Sequence, residues 1–168
     1  MLPDIARFAR ISRSRALGLG FGLLGAATPA AFGTSVGPAN DGGRLFVAEQ
    51  VFLFHTKNFE NLAGGAQLNG DHEVAGDLYW VSSSISDAIT HLHDLYDLGR
   101  DMETPADRAS VRQLFDERVA KAIKLLSKSV DRVDHESLNV RSASIDTERD
   151  RLRVDLKQAM KILQSLKY

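Results

Sequence analysis

Residues 74–102, VAGDLYWVSSSISDAITHLHDLYDLGRDM, decide how the chain is read. Val74, Leu78, Val81, Ile85, Ala88, Leu92, Leu95, Gly99 and Met102 recur at alternating steps of four and three. That is the period of one helical face, and a narrow seam of coiled-coil type. A rod of this length spans roughly 40 Å at 1.5 Å per residue. It cannot stand alone in water, because its apolar stripe must be covered by other helices. Asp71 is the expected N-cap.

The same period extends to both sides. Over roughly 44–63, Leu45, Ala48, Phe52, Phe59 and Leu62 form a stripe, widened by Val47, Val51 and Phe54. The run Val51-Phe52-Leu53-Phe54 also suits a buried strand, so strand is the alternative there. Ala63-Gly64-Gly65 is the expected stop, with glycine taking the left-handed conformation past the helix end. Thr104-Pro105-Ala106-Asp107 opens a third segment: threonine caps, proline fits the first helical position, and the acid favours the positive end of the dipole. Val111, Phe115, Val119, Ala122, Leu126, Val130 and Val133 carry its stripe. Asn139, Ser142 and Ser144 are turn or cap residues. Ile145, Leu152, Leu156, Ala159, Leu163 and Leu166 carry a fourth segment. No Gly or Pro separates the third from the fourth, so a single bent helix over 105–138 and 145–167 is an alternative to two helices.

The expected fold is therefore all-α: an up-down four-helix bundle of three long helices plus a shorter first one. The bundle domain is 44–168. Residues 31–43, rich in Gly with one Pro, read as a flexible linker. A helical hairpin that dimerises would bury the same stripes, so a homodimer also fits.

Residues 1–30 read as a signal peptide. Arg7, Arg10, Arg13 and Arg15 precede the uncharged stretch ALGLGFGLLGAA at 16–27, and small residues follow around Thr28 and Ala30. A basic start, a short apolar core and a small-residue exit suit a secretory leader cleaved after Ala30. The glycines and Pro29 make the stretch too weakly apolar for a lasting membrane anchor, which needs about 20 strongly apolar residues. The expected location is periplasmic or secreted. A mitochondrial presequence is the alternative, because Arg7, Arg10 and Ser14 share a helical face; a buried first helix is a third reading.

Composition removes several function classes. The 168-residue chain has no cysteine, which excludes disulfides, thiol nucleophiles, Cys-ligated zinc and iron–sulfur clusters. Its 21 basic and 22 acidic residues leave a net charge of −1, and cleavage after Ala30 would leave −4. No global charge favours nucleic acid as a partner. Charge is nevertheless segregated. Between Lys57 and Arg100 there are seven acids and no Lys or Arg, whereas residues 100–168 hold 15 bases and 12 acids. Lys121, Lys124, Lys128 and Arg132 follow one face of the third segment, and Arg149, Arg153, Lys157 and Lys161 one face of the fourth. The structural expectation is that the acidic helix packs beside a basic one through flanking ion pairs. The functional expectation is an acidic face, carried by Asp87, Asp94 and Asp97, for a basic protein partner.

Chemistry is sparsely indicated. Asp87, His91 and Asp94 lie at i, i+4 and i+7 on one helical face, and His93 pairs with Asp97 at i+4. Imidazole with carboxylate suits zinc, copper or nickel, provided His135 with Asp131, or His55, completes the shell from another helix. No other cofactor is indicated. Ser82-Ser83-Ser84 lies beside Asp87 and His91 on one helix, which gives no opposing oxyanion hole, and no Gly-x-Ser-x-Gly elbow exists. Trp80, Tyr79 and Tyr96 read as core or boundary rings. The expected function is thus non-enzymatic protein binding by an exported bundle. Metal or small-ligand binding is the alternative, and an enzyme of unidentified chemistry the further one.

Overall fold

A computed structural model describes residues 41–66, 69–135 and 140–166. They form four helices: α1 (Asp41–Gly65), α2 (Asn69–Asp101), α3 (Pro105–His135) and α4 (Ala143–Ser165). No strand occurs among the described residues. The leader and most of the linker read from the sequence lie outside them.

Each connection is short, so neighbours in the chain run antiparallel. At the α1–α2 turn the His72 ring bonds the Ala63 carbonyl at 2.8 Å. At the other end of that pair, His93 on α2 meets Glu49 on α1 at 3.0 Å. Asp77 near the start of α2 bridges Arg132 near the end of α3 at 3.0 Å. Tyr96 and Phe115 meet with ring centroids 6.2 Å apart where α2 turns into α3. Arg153 on α4 reaches Asp134 on α3 at 3.4 Å. The ring closes where Arg44 at the start of α1 donates to Ser165 Oγ at the end of α4, 2.6 Å away. This is the up-down four-helix bundle that the stripes imply.

The stripes are the core. Leu45, Ala48, Phe52 and Phe59 of α1 are fully buried with Leu78, Ile85 and Leu92 of α2, Phe115, Leu126 and Val133 of α3, and Leu152, Leu156 and Leu163 of α4. On α2 the buried band is wider than the predicted seam, because Ala75, Ser82 and Ile89 join it. A helix flanked by two neighbours needs more than a single a/d edge. Ser82 is buried with its hydroxyl bonded to the Leu78 and Tyr79 carbonyls of its own helix, at 3.0 and 2.9 Å.

Several local expectations change. The Val51–Phe54 run is helix, and it splits: Val51 and Phe52 are buried, while Leu53 and Phe54 face out. Phe54 therefore does not widen the core stripe. The first helix is not the shortest, since α1 has 25 residues and α4 has 23. It begins inside the expected linker, where Gly42 is buried and Arg44 bridges Asp41 at 3.1 Å across the first turn. Gly64 and Gly65 remain helical and neither takes a left-handed φ. Instead the Ala63 carbonyl is satisfied by His72 and by the Ala66 N–H. Asp71 is not an N-cap. It sits buried in the first turn of α2 and accepts the Arg141 N–H at 2.9 Å, tying the entry of α4 to α2.

The helix starts at 105 and 143 follow their cap chemistry. Thr104 Oγ accepts the Asp107 N–H at 3.1 Å and donates to its carboxylate at 2.6 Å, ahead of Pro105. Arg108 reaches back to the Met102 and Glu103 carbonyls and closes the three-residue turn after α2. Ser142 caps α4 through the Ile145 N–H at 3.5 Å, so the chain makes two helices here and not one bent helix.

Replacing Phe52 by Ala removes a fully buried ring of α1 from the core and should cost about 3–5 kcal/mol in urea unfolding. Trp80, which is 65% exposed, should change stability by no more than about 0.5 kcal/mol when replaced by Ala. Equal losses at the two positions would contradict this placement of the core.

Candidate functional site

The α1 stripe has a gap of seven between Phe52 and Phe59, and the α4 stripe a gap of seven between Ile145 and Leu152. Polar residues fill both gaps, and they meet. His55 is 2% exposed on α1, and Glu148 is 4% exposed on α4. His55 Nδ1 lies 2.8 Å from Glu148 Oε1, and Nε2 lies 2.8 Å from Asp155 Oδ2. Asn58 Nδ2 donates to Glu148 Oε1 at 2.9 Å, and Arg151 stands 3.4 Å from Glu148 Oε2. Asp155 is one turn beyond Leu152, so its carboxylate reaches the ring from the side opposite Glu148.

A neutral imidazole has one N–H, and here both ring nitrogens face carboxylate oxygens. With both carboxyls ionised, only the imidazolium donates to each of them. Burial by itself pushes the His55 ring down, but the hydrogen bonds to Asp155 and Glu148, with their charges, outweigh it and hold the ring above its ordinary value. Burial pushes the Glu148 carboxyl up; the His55 and Asn58 hydrogen bonds and the positive charges of His55 and Arg151 reverse this and hold it below its ordinary value. With the ring protonated, the charges of His55 and Arg151 offset those of the Glu148 and Asp155 carboxylates.

An open cleft of about 500 Å³ lies beside this cluster, lined by Asn58, Asn61, Leu62, Ser144, Thr147 and Arg151, with Glu148 on its inner wall. The Glu148 carboxylate is engaged by His55, Asn58 and Arg151. Two of these contacts fall on Oε1 and one on Oε2, so three of its roughly four acceptor sites are taken. The arrangement fastens two helices to each other.

The residues expected to bear function are elsewhere. Asp87, His91 and Asp94 are exposed on one ridge of α2 together with Trp80 and Ser84. The ligands expected from other helices do not reach them: His55 is buried in the α1–α4 seam, while His135 and Asp131 are exposed near the end of α3. Among the described residues no group of three His, Asp or Glu side chains is placed to hold a metal ion. Asp97 leaves the Asp87–Asp94 ridge and turns towards α1. There it lies 3.7 Å from His93 Nε2, whose Nδ1 meets Glu49 and whose ring packs edge-on against Phe46.

The basic stripes also divide. Lys121, Lys124 and Lys128 are exposed on α3, and Arg132 makes the one α2–α3 ion pair found among the described residues. On α4, Arg149 is buried, bridging Asp146 at 2.6 Å and Asp150 at 3.3 Å, while Lys157 and Lys161 are exposed. Flanking ion pairs thus account for little of the helix order. No family model, curated protein or solved structure matches the chain.

The cluster makes stability depend on pH in a stated direction. The raised His55 value contributes stability that is complete below about pH 6.5 and is lost as pH rises through the folded value. The lowered Glu148 value contributes stability that is complete above about pH 4.5 and is lost as pH falls through the folded value. Urea unfolding should therefore show greatest stability between those limits, with a decline on the alkaline side that a His55→Gln variant lacks. The same variant should lose about 3–5 kcal/mol at pH 6, since it strands buried carboxylates. A variant profile parallel to the wild type would refute the assignment.

Proposed function

We propose that this protein is an exported, non-enzymatic helical bundle that acts by binding another protein through the solvent face of α2. The observation that carries the reading is the state of that face. Asp87, His91 and Asp94 are exposed, and no hydrogen bond or ion pair engages them among the described residues, although a helix with exposed lysines lies alongside. A bundle that used these acids only to choose helix order would pair them. Trp80 on the same ridge supplies an exposed aromatic anchor of the type that dominates protein interfaces.

The outer side of α1 adds exposed apolar surface to the molecule. Phe46, Leu53 and Phe54 are each about half exposed, so this helix is apolar on its outer side as well as in the core. The partner that fits offers basic side chains to the α2 acids and an apolar contact to Trp80. Export rests on the leader-like residues 1–30. No described helix is long and apolar enough to cross a membrane.

Cross-linked capture from the native compartment, with wild type and an Asp87→Lys/Asp94→Lys variant in parallel, tests the surface. The expected outcome is a partner held by the wild type and weakened at least about tenfold by the variant, with an unchanged melting temperature. Equal capture by both proteins would exclude this face as the docking surface.

A further inference from the structure

Two ridges diverge from the single Asp77–Arg132 bridge. On α2, Asp77, Trp80, Ser84, Asp87, His91 and Asp94 follow at steps of three and four. On α3, Arg132, Lys128, Leu125, Lys121, Arg118 and Leu114 follow at the same steps in the opposite chain direction. The bridge places the start of each ridge where α2 and α3 adjoin, and the other members run along the exposed faces of the two helices. One ridge is acidic with a tryptophan, and the other is basic. Beyond the shared bridge, the described residues show no pair between them, and Arg118, Lys121, Lys124 and Lys128 are all exposed.

The register of the two helices is set by the Asp77–Arg132 bridge at one end and the Tyr96–Phe115 contact at the other. Counting inward from both places Trp80 level with Lys128, Asp87 level with Lys121 and Lys124, and His91 and Asp94 level with Arg118. A two-fold axis parallel to the helices keeps every residue at its own level and exchanges the ridges. The acidic ridge of one copy then lies over the basic ridge of the other, twice, with no register left to choose.

We propose that the occupant of this face is a second copy of the chain, joined across such an axis with α2 of each copy against α3 of its partner. This rests on the reading of the α2 face as a protein-docking surface and names its partner. Asp87 is placed over the partner's Lys121, Asp94 over the partner's Arg118, and Trp80 against the partner's Lys128, an arrangement that suits a cation over an indole. The interface is isologous, so it closes at two copies and does not propagate. Glu117, exposed near the level of Asp94, is the like-charge neighbour in this arrangement, so the central Asp87–Lys121 contacts carry the greater share.

Sedimentation of the purified native protein tests the pairing. A dimer is expected at about 0.02 M salt, with the dissociation constant rising at least about tenfold by about 0.5 M, where screening is nearly complete. Asp87→Lys/Asp94→Lys and Arg118→Glu/Lys121→Glu should each sediment as monomers with native circular dichroism. An equimolar mixture of the two should dimerise again to within about threefold of the wild type, because both contacts regain opposite charge. Three outcomes would overturn the proposal: a wild type that stays monomeric at low salt, a dimer indifferent to salt and to both variants, or a mixture that stays monomeric. A monomeric wild type whose captured partner is still lost on reversing Asp87 and Asp94 overturns self-pairing alone and leaves the docking face standing.

Discussion

One imidazolium held between two carboxylates closes the ring of four helices. Three of the four contacts around the rim of the bundle join segments that follow each other in the chain, and short turns favour them. The fourth joins α1 to α4, across 93 residues between His55 and Glu148. Nothing in the connectivity brings that pair together. The apolar stripes pull the two helices into one core, but apolar contact alone tolerates slippage by a turn. A slip here would move Glu148 off His55 and leave a buried carboxylate facing hydrocarbon, at a cost of several kcal/mol. A buried ion cluster adds little net stability over a well-packed apolar replacement. Its contribution is the penalty it sets on the wrong register.

That contact also explains what the amino-acid pattern conceals. The fold is readable because each core stripe keeps its period over several turns, and because Thr104-Pro105 marks a helix start by chemistry that needs no distant partner. The cluster is written in the same stripes, as missing beats. In α1 the series Leu45, Ala48, Phe52, Phe59 skips the position of His55; in α4 the series Ile145, Leu152 skips that of Glu148. A search for apolar periodicity passes over both. The signal was two interruptions of equal length on helices destined to be neighbours, and it gains meaning only once α1 and α4 are known to touch. The helix ends were hidden for a related reason. Asp71 resembles a cap by type and place, but its partner is the Arg141 N–H, 70 residues away.

The fastenings of the helices differ in kind. Histidine takes part in both seams of α1, through His55 to α4 and through His93 and His72 from α2, beside the Arg44–Ser165 and Asn58–Glu148 bonds to α4. The edges of α3 are held by arginine, in the Asp77–Arg132 and Asp134–Arg153 pairs. Those arginine pairs are about half exposed and contribute at most about 1 kcal/mol each, and arginine does not titrate in the range where proteins work. Protonation therefore acts unevenly on this bundle. Through His55 and Glu148 it bears on the seam of α1 with α4, whereas the two contacts that set the level of α2 against α3 contain no histidine.

This separation bears on the α2 face. Its acids cost the folded monomer little, because they remain hydrated and no desolvation is incurred. They also give the monomer little, since beyond Asp77 they have no partner on α3. Uncompensated charge arranged in a ridge, beside a ridge of the opposite sign, has its largest effect on encounter and orientation between molecules. A rigid pair of helices is the right support for it: with their relative level locked at both ends by Asp77–Arg132 and Tyr96–Phe115, the two ridges present a fixed pattern to whatever approaches. The interior of the molecule thus sets the register within the chain, and the same register, carried to the surface, selects what can lie against it.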